Sequence, residues 1–337
     1  MTMNEFTKIV LNTDPLERKG RLFIYGIEER VSASLDFVKT QYRNYPDLER
    51  AINYVEYLHS ETIKADIDSL YKLGYYPATE TEMELDYAVK HALIGSYKAA
   101  FSDLRRALEL SIVFVYLSSE QVERRKALDW ITSRGNTPSF SKALGKLITE
   151  GRFQDIDRVC NWKSNLQDLY WELSDFNHNK GQLKGYRELN NTSFLVAGTS
   201  TPSIKYETLE LFCDLYIQVV SEIVAIQALY NPIILVGLPV DEKFGLNGPV
   251  SGYLNVEQVK LVNALIPQKY RDYFESLVEN DKEIQSIVEY FASLPDLTDD
   301  DLKKQAKEQR EFLEQLKKKG GTINGNIAPN PVCTGRG

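Results

Sequence analysis

The sequence lacks the short motifs by which many enzymes are identified. It contains no Gly-x-x-x-x-Gly-Lys or Gly-x-Gly-x-x-Gly stretch, which argues against a phosphate-binding loop. The absence of Gly-x-Ser-x-Gly argues against a serine hydrolase with a nucleophile elbow. Its three histidines, His59, His91 and His178, show no His-x-x-x-His spacing. We therefore expect no bound metal and no cofactor.

Cysteines and long apolar runs are also scarce. Cys160, Cys213 and Cys333 are widely spaced and odd in number, so no disulfide framework is predicted, and free thiols suit a reducing cytosol. The longest apolar run, Ile112 to Leu117, is too short to span a membrane. Residues 1–19 lack the apolar segment of a secretory signal. These absences predict a cytoplasmic protein without a membrane partner.

Positive charge is in the minority. The 337 residues include 40 basic and 48 acidic side chains, which gives a formal net charge of -8. Proteins that bind duplex DNA gain most of their affinity by neutralising phosphates. The charge balance therefore argues against duplex DNA as a partner. The hydrophobic share of 43% is ordinary for a globular protein rather than a disordered one.

The apolar residues that are present recur mainly at helical spacing. This periodicity predicts an all-α fold, a helical bundle with long central helices and a smaller helical C-terminal part. Between residues 79 and 118 it predicts one helix of about ten turns, interrupted only by Gly95. Thr79 and Glu82 would form its capping box. A second long helix is predicted from Tyr206 to Tyr230.

Further helix boundaries are predicted from capping residues and prolines. Thr137 would cap a helix that begins at Pro138. The next helix would run from Asp155 to about Asn177. Near the C-terminus, two variants of the capping box are predicted, and the last helix, residues 299–319, starts with three acids and ends with three lysines. The two variants are Asn255 with Gln258 and Thr298 with Asp301.

These patterns predict four segments. Residues 1–78 form an N-terminal helical segment, and residues 79–232 form the main bundle. Residues 233–319 form a C-terminal helical region. Residues 320–337 contain five glycines and two prolines and are expected to be a disordered tail.

The first candidate site is the segment from Asp168 to His178. On a helix, Asp168, Glu172 and Asp175 share a face, and His178 follows Asp175 by one turn. Such a carboxylate can orient an imidazole for acid–base chemistry or for a metal. A carboxylate-bridged metal site would need a second such motif, which the sequence does not contain. The alternative is a structural histidine near a helix C-terminus, where the helix dipole favours it.

The second candidate is a pair of arginines in the long helix. Arg105 lies four residues and Arg106 three residues before Glu109. The simpler interpretation is an intrahelical ion pair at the surface, worth a few tenths of a kcal/mol. Because neighbours such as Leu108 are apolar, an ion pair inside the bundle or an anion site stays open as the alternative.

Taken together, these residues resemble the helical domains of the HEPN class (higher eukaryote and prokaryote nucleotide-binding), common in bacterial toxin–antitoxin and phage-defence proteins. The resemblance covers residues 80–180, and the helix 206–230 would close the bundle. It depends on three short pieces, which are Leu104-Arg105-x-x-Leu108-Glu109, the Thr-Pro-Ser-Phe start at Thr137, and Leu169-Tyr170-x-x-Leu173-Ser174-x-Phe176-x-His178.

The resemblance implies a metal-independent ribonuclease in catalytic members. Their motif has an Arg, usually followed by a polar residue, with four to six residues between the Arg and a His. Counted back from His178, those positions hold Trp171, Glu172 and Leu173, and no arginine occurs between Asn165 and His178. The chain therefore departs from the motif, loses a cation for the scissile phosphate, and carries a glutamate that would repel RNA.

Two hypotheses follow from the sequence. The first is a non-enzymatic helical interaction or regulatory protein, in bacterial stress or phage defence, with another protein or a second copy of the chain as its partner. The second is a HEPN-type metal-independent ribonuclease with an unusual centre at His178. In the second hypothesis, RNA would be the partner, and Asp175, Arg105 and Arg106 would assist His178.

Overall fold

The fold is all-α, as predicted. The computed structural model describes residues 27–42, 46–57, 75–119, 124–149, 151–178, 206–247 and 254–318, and these contain fourteen α-helices and no strand. The helices are α1 Ile27–Tyr42, α2 Pro46–Tyr57, α3 Tyr75–Leu93, α4 Tyr97–Ser118, α5 Arg124–Ile131, α6 Phe140–Leu147, α7 Gly151–Cys160, α8 Trp162–Asn177, α9 Tyr206–Tyr230, α10 Val240–Phe244, α11 Val256–Leu265, α12 Arg271–Asn280, α13 Lys282–Ser293 and α14 Asp299–Lys318.

The single helix predicted over residues 79–118 is wrong, because the chain forms two helices there. α3 ends at Leu93 and α4 begins at Tyr97, with a turn at Gly95, whose φ of 78° is accessible to glycine without steric cost. Contacts between His91 and Asp103, and between Glu84 and Arg106, show that the two helices pack antiparallel as a helical hairpin.

The start of this hairpin also differs from the prediction. α3 begins at Tyr75, so Thr79 lies inside the helix and does not cap it. Pro77 is accommodated because it lies in the first turn, where its missing N–H leaves no intrahelical bond unmade.

The single helix predicted from Asp155 to Asn177 is likewise two helices. α7 ends at Cys160, and Asn161 adopts a left-handed conformation with φ 52° before α8 begins. Asparagine tolerates this region better than most residues. The side chain of Asp157 accepts a hydrogen bond from the backbone N–H of Lys163, at 2.8 Å, in the first turn of α8. This local bond stabilises the break that the apolar pattern did not reveal.

α6 begins two residues later than predicted. Its N-cap is Ser139 and its first residue is Phe140. The hydroxyl of Thr137, predicted as the cap, instead accepts a hydrogen bond from the indole Nε1 of Trp130 at 2.9 Å.

α4, α8 and α9 form the core of the larger part of the molecule. Phe101 of α4 stacks on Phe176 of α8 at 4.2 Å between ring centroids, and also lies 6.2 Å from Phe212 of α9. α9 has the predicted bounds, Tyr206 to Tyr230. Sixteen of its residues are buried, which makes it a central helix of the bundle.

Internal contacts divide the chain into two compact units. The first comprises the described residues within 1–238 and 250–289, and the second those within 239–249 and 290–337. The second unit therefore lies inside the C-terminal region predicted over residues 233–319. The predicted tail, residues 320–337, lies outside the described residues, as does much of the segment 1–78.

Within the second unit, α14 packs against the short stretch at Gly245. The side-chain amide of Gln305 accepts from the backbone N–H of Leu246 at 2.9 Å and donates to the carbonyl of Phe244 at 3.2 Å. A Cβ at Gly245 would lie 2.6 Å from side-chain atoms of Leu302 and Gln305, so only glycine permits this approach.

Both predicted C-terminal capping boxes are confirmed. Asn255 and Gln258 exchange hydrogen bonds between each side chain and the other residue's backbone N–H, at 2.8 and 2.9 Å. Thr298 and Asp301 make the same exchange at 2.9 and 3.3 Å at the start of α14. These bonds satisfy backbone donors that have no intrahelical partner.

Candidate functional site

The sequence-predicted site residues lie in three different environments. His178 is the C-cap of α8, and its backbone N–H donates to the carbonyl of Ser174 at 3.1 Å. Its imidazole is exposed and makes no hydrogen bond or ion pair with the residues that the structure describes. Asp175 is half-buried one turn earlier on the same helix.

Arg105 binds the middle of α8 rather than its end. Its Nη2 donates to the hydroxyl of Tyr170 at 2.8 Å, and its guanidinium lies 4.9 Å from the centroid of that ring. The ring of Tyr170 also stacks on the ring of Phe140 in α6, with 4.0 Å between the two centroids. Tyr170 precedes His178 by eight residues, about 12 Å along the helix axis. Arg105 therefore fixes three helices together, and it does not form a site with His178.

The predicted pairing of Arg105 with Glu109 is present but long, at 4.0 Å. Burial raises the pKa of the Glu109 carboxyl, and the charge of Arg105 opposes that shift. Both side chains are about three-quarters buried, so this is the ion pair inside the bundle that the sequence left open.

Arg106 turns to the opposite side, toward α3. Its Nη2 lies 2.8 Å from a carboxylate oxygen of Glu84 and also binds the carboxylate of Asp103. Its Nη1 donates to the hydroxyl of Ser102 at 3.0 Å. The close carboxylate of Glu84 is the largest influence on this guanidinium and raises its pKa. The two adjacent arginines thus serve different helix contacts.

The structure adds His91 to this group, a residue that the sequence pattern did not select. Its Nδ1 lies 2.5 Å from Oδ2 of Asp103, while Arg106 binds the other oxygen of the same carboxylate. Asp103 is only 1% exposed, whereas the His91 side chain is 38% exposed. We name His91, Asp103, Arg106 and Glu84 the hairpin cluster.

A buried carboxylate that holds an accessible imidazole is a chemically competent arrangement. The carboxylate fixes the ring orientation, and the second ring nitrogen can exchange a proton with a bound molecule. Arg106 supplies a neighbouring cation, although Glu84 and Asp103 already bind it. Gly95 was the sequence signal that could have revealed this cluster, because only a turn there brings His91 back to Asp103.

A second buried charge lies on α9. Glu222 is 5% exposed, and its Oε1 accepts a hydrogen bond from the hydroxyl of Tyr270 at 3.1 Å. The ammonium of Lys269 lies 3.4 Å from the same oxygen, while Oε2 has no hydrogen-bond partner in the described chain. Burial raises the pKa of the Glu222 carboxyl against the attraction of Lys269. A charged carboxylate here is costly, and its partners only partly offset that cost.

The third feature is the exposed apolar face of α14. Phe312 is 60% exposed and Leu313 is 45% exposed, near the end of a helix on which no described side chain is buried. Large apolar side chains gain free energy when they leave water, so an adjacent exposed pair on a helix suits a contact with another apolar surface.

Searches of family models, of curated proteins and of solved structures found no match to this chain. Within the described ranges, no group of three or more His, Cys, Asp or Glu residues could hold a metal ion. No helix in that part of the chain is both long and apolar enough to cross a membrane.

Proposed function

We propose that this chain is a non-enzymatic interaction protein that assembles through the exposed face of α14. The observation that carries the proposal is the pair Phe312 and Leu313, exposed together on one capped helix. Interfaces are commonly anchored by a few aromatic and aliphatic side chains that become fully buried on binding. By resemblance to HEPN proteins, the assembled protein would have a regulatory role in bacterial stress or phage defence.

The charges of α14 favour α14 of a second copy as the partner. The helix starts with Asp299, Asp300 and Asp301, and its last residues are Lys317 and Lys318. In an antiparallel pair, the acidic start of each helix faces the basic end of the other. Such complementarity favours one orientation of the pair and speeds the encounter.

The test is the oligomeric state of the full chain. We expect sedimentation equilibrium to show a dimer that forms with rising protein concentration. Phe312→Ala combined with Leu313→Ala should give a monomer, since the apolar anchors are lost. Val159→Ala is the matched control, because Val159 is a 63% exposed apolar residue on α7.

Charge reversal tests the orientation. Asp299→Lys combined with Asp300→Lys should weaken the dimer, and added salt should weaken the unmodified dimer as well. Both residues are exposed and lie outside the capping box of Thr298 and Asp301. A chain that stays monomeric at every concentration, or a Phe312/Leu313 double variant that still dimerises, would contradict the proposal.

Ribonuclease activity is the second candidate function, and the hairpin cluster is the observation that favours it. His91, held by the buried Asp103 beside Arg106, supplies an acid–base group and a cation without a metal. On this hypothesis, His91→Ala abolishes RNA cleavage, and cleavage is unaffected by chelators. If the purified chain does not cleave single-stranded RNA, this second function is excluded.

A further inference from the structure

A cavity of the first unit has a volume of about 710 Å³ and is lined by residues of α2, α11 and α12 and of the turn 232–235. Its apolar wall includes Leu235, Ile266 and Phe274, all nearly buried. This volume lies within the range of small-molecule sites, about 300–1,000 Å³.

Arg271 gives the cavity a cation that has no partner among the residues that the structure describes. It is the first residue of α12, and its Nε is buried without a hydrogen-bond acceptor. Across the described chain, its guanidinium forms no hydrogen bond or ion pair. A guanidinium without an acidic partner gains free energy from a carboxylate that binds it, and such a charge-assisted bond is stronger than one between neutral groups.

Glu275 and Glu279 line the same cavity one and two turns further along α12. Arg271 and Glu275 have the spacing of an intrahelical ion pair, yet none forms between them. The remaining charges of the lining, Asp47 and Arg50, neutralise each other at 2.5 Å. Within the described ranges, the cavity therefore presents one unpaired cation, Arg271, and two unpaired anions, Glu275 and Glu279, along α12.

We propose that this cavity binds a zwitterion of the amino-acid type, an apolar amino acid or a short apolar peptide. Its carboxylate binds Arg271, its ammonium binds Glu275 or Glu279, and its side chain packs on Leu235, Ile266 and Phe274. A guanidinium is well suited to a carboxylate because its N–H groups match both oxygens. This site is independent of the α14 contact and stands whether or not the chain dimerises.

Isothermal titration of the full chain with leucine and with leucyl-leucine tests the proposal. We expect at least one of the two to bind, and we expect 4-methylpentanoate, which lacks the ammonium, and isopentylamine, which lacks the carboxylate, to bind at least about tenfold more weakly. These analogues test the wild-type protein and need no variant to fold. Equal binding of either analogue would overturn the zwitterion assignment.

Substitutions of the charged residues that line the cavity then test whether the ligand binds there. Arg271→Gln and the double variant Glu275→Gln with Glu279→Gln should each weaken binding by about tenfold or more. Arg158→Gln and Glu283→Gln are matched controls, since both residues are exposed and lie outside the cavity. No binding of either zwitterion to the wild type, or binding that Arg271→Gln leaves unchanged, would overturn the proposal.

Discussion

α9 and α14 are two long helices that differ in how many of their side chains are buried. α9 has 25 residues, of which sixteen are buried, whereas no described side chain among the 20 residues of α14 is buried. α9 gains its stability from packing, which is the usual source for helices in proteins. α14 depends instead on its capping box, on charges at its ends and on contacts near Gly245. α14 therefore keeps exposed apolar surface, at Phe312 and Leu313, which is available for the contact proposed above.

The same substitution on both helices gives the largest expected contrast. Phe212 on α9 is 4% exposed and packs against Phe101 and Tyr216, so Phe212→Ala should lower the free energy of unfolding by about 3–5 kcal/mol. Phe312→Ala should change it by about 0.5 kcal/mol or less in the monomer. Urea unfolding of both variants at low protein concentration measures the contrast, and similar losses would refute it.

A second prediction concerns the buried carboxylate of α9. Because burial raises the pKa of Glu222, the folded chain binds more protons than the unfolded chain above pH 4.5, the ordinary carboxyl value. Stability from this group should therefore fall as pH rises from that value through the raised pKa. One proton limits the slope to about 1.4 kcal/mol per pH unit.

Glu222→Gln should remove this slope, because the amide does not titrate and can still accept from Tyr270. The measurement is urea unfolding from pH 4.5 upward on the wild type and on the variant. Glu257→Gln is the control, since Glu257 is 80% exposed and should leave the slope intact. Equal slopes in wild type and Glu222→Gln would show that burial does not control this carboxyl.

Local sequence signals predicted much of the fold. The bounds of α9 followed from its apolar pattern, and both C-terminal capping boxes followed from residues three apart. Helical spacing and capping residues are local patterns, so both could be read from the sequence without knowledge of the contacts between helices.

The features that the sequence did not predict depend on contacts between segments that are brought together only when the chain folds back on itself. Apolar spacing continues from Leu85 to Val115 without a break in phase, and so it concealed the turn at Gly95. That error separated His91 from Asp103 in the prediction, although the folded chain brings them to 2.5 Å. The sequence predicts that Arg105 and Arg106 pair with Glu109, which lies close to them on the same helix. It does not predict the contact of Arg105 with Tyr170, because Tyr170 lies 65 residues further along the chain.

The smallest expected effect concerns His178, which contrasts with His91 within the first unit. Its imidazole makes no hydrogen bond with the described residues, so only a favourable interaction with the C-terminus of α8 remains to stabilise it. His178→Ala should therefore lower the free energy of unfolding by about 0.3–1 kcal/mol. His91→Ala removes a partner of the buried Asp103 and should lower the free energy of unfolding by more, about 1–3 kcal/mol.

Unfolding curves and RNA cleavage measured on both variants separate a structural role from a catalytic one. If His178→Ala is as stable as the wild type but alone abolishes RNA cleavage, the catalytic centre lies at the end of α8, and both the hairpin-cluster assignment and the non-enzymatic proposal are wrong.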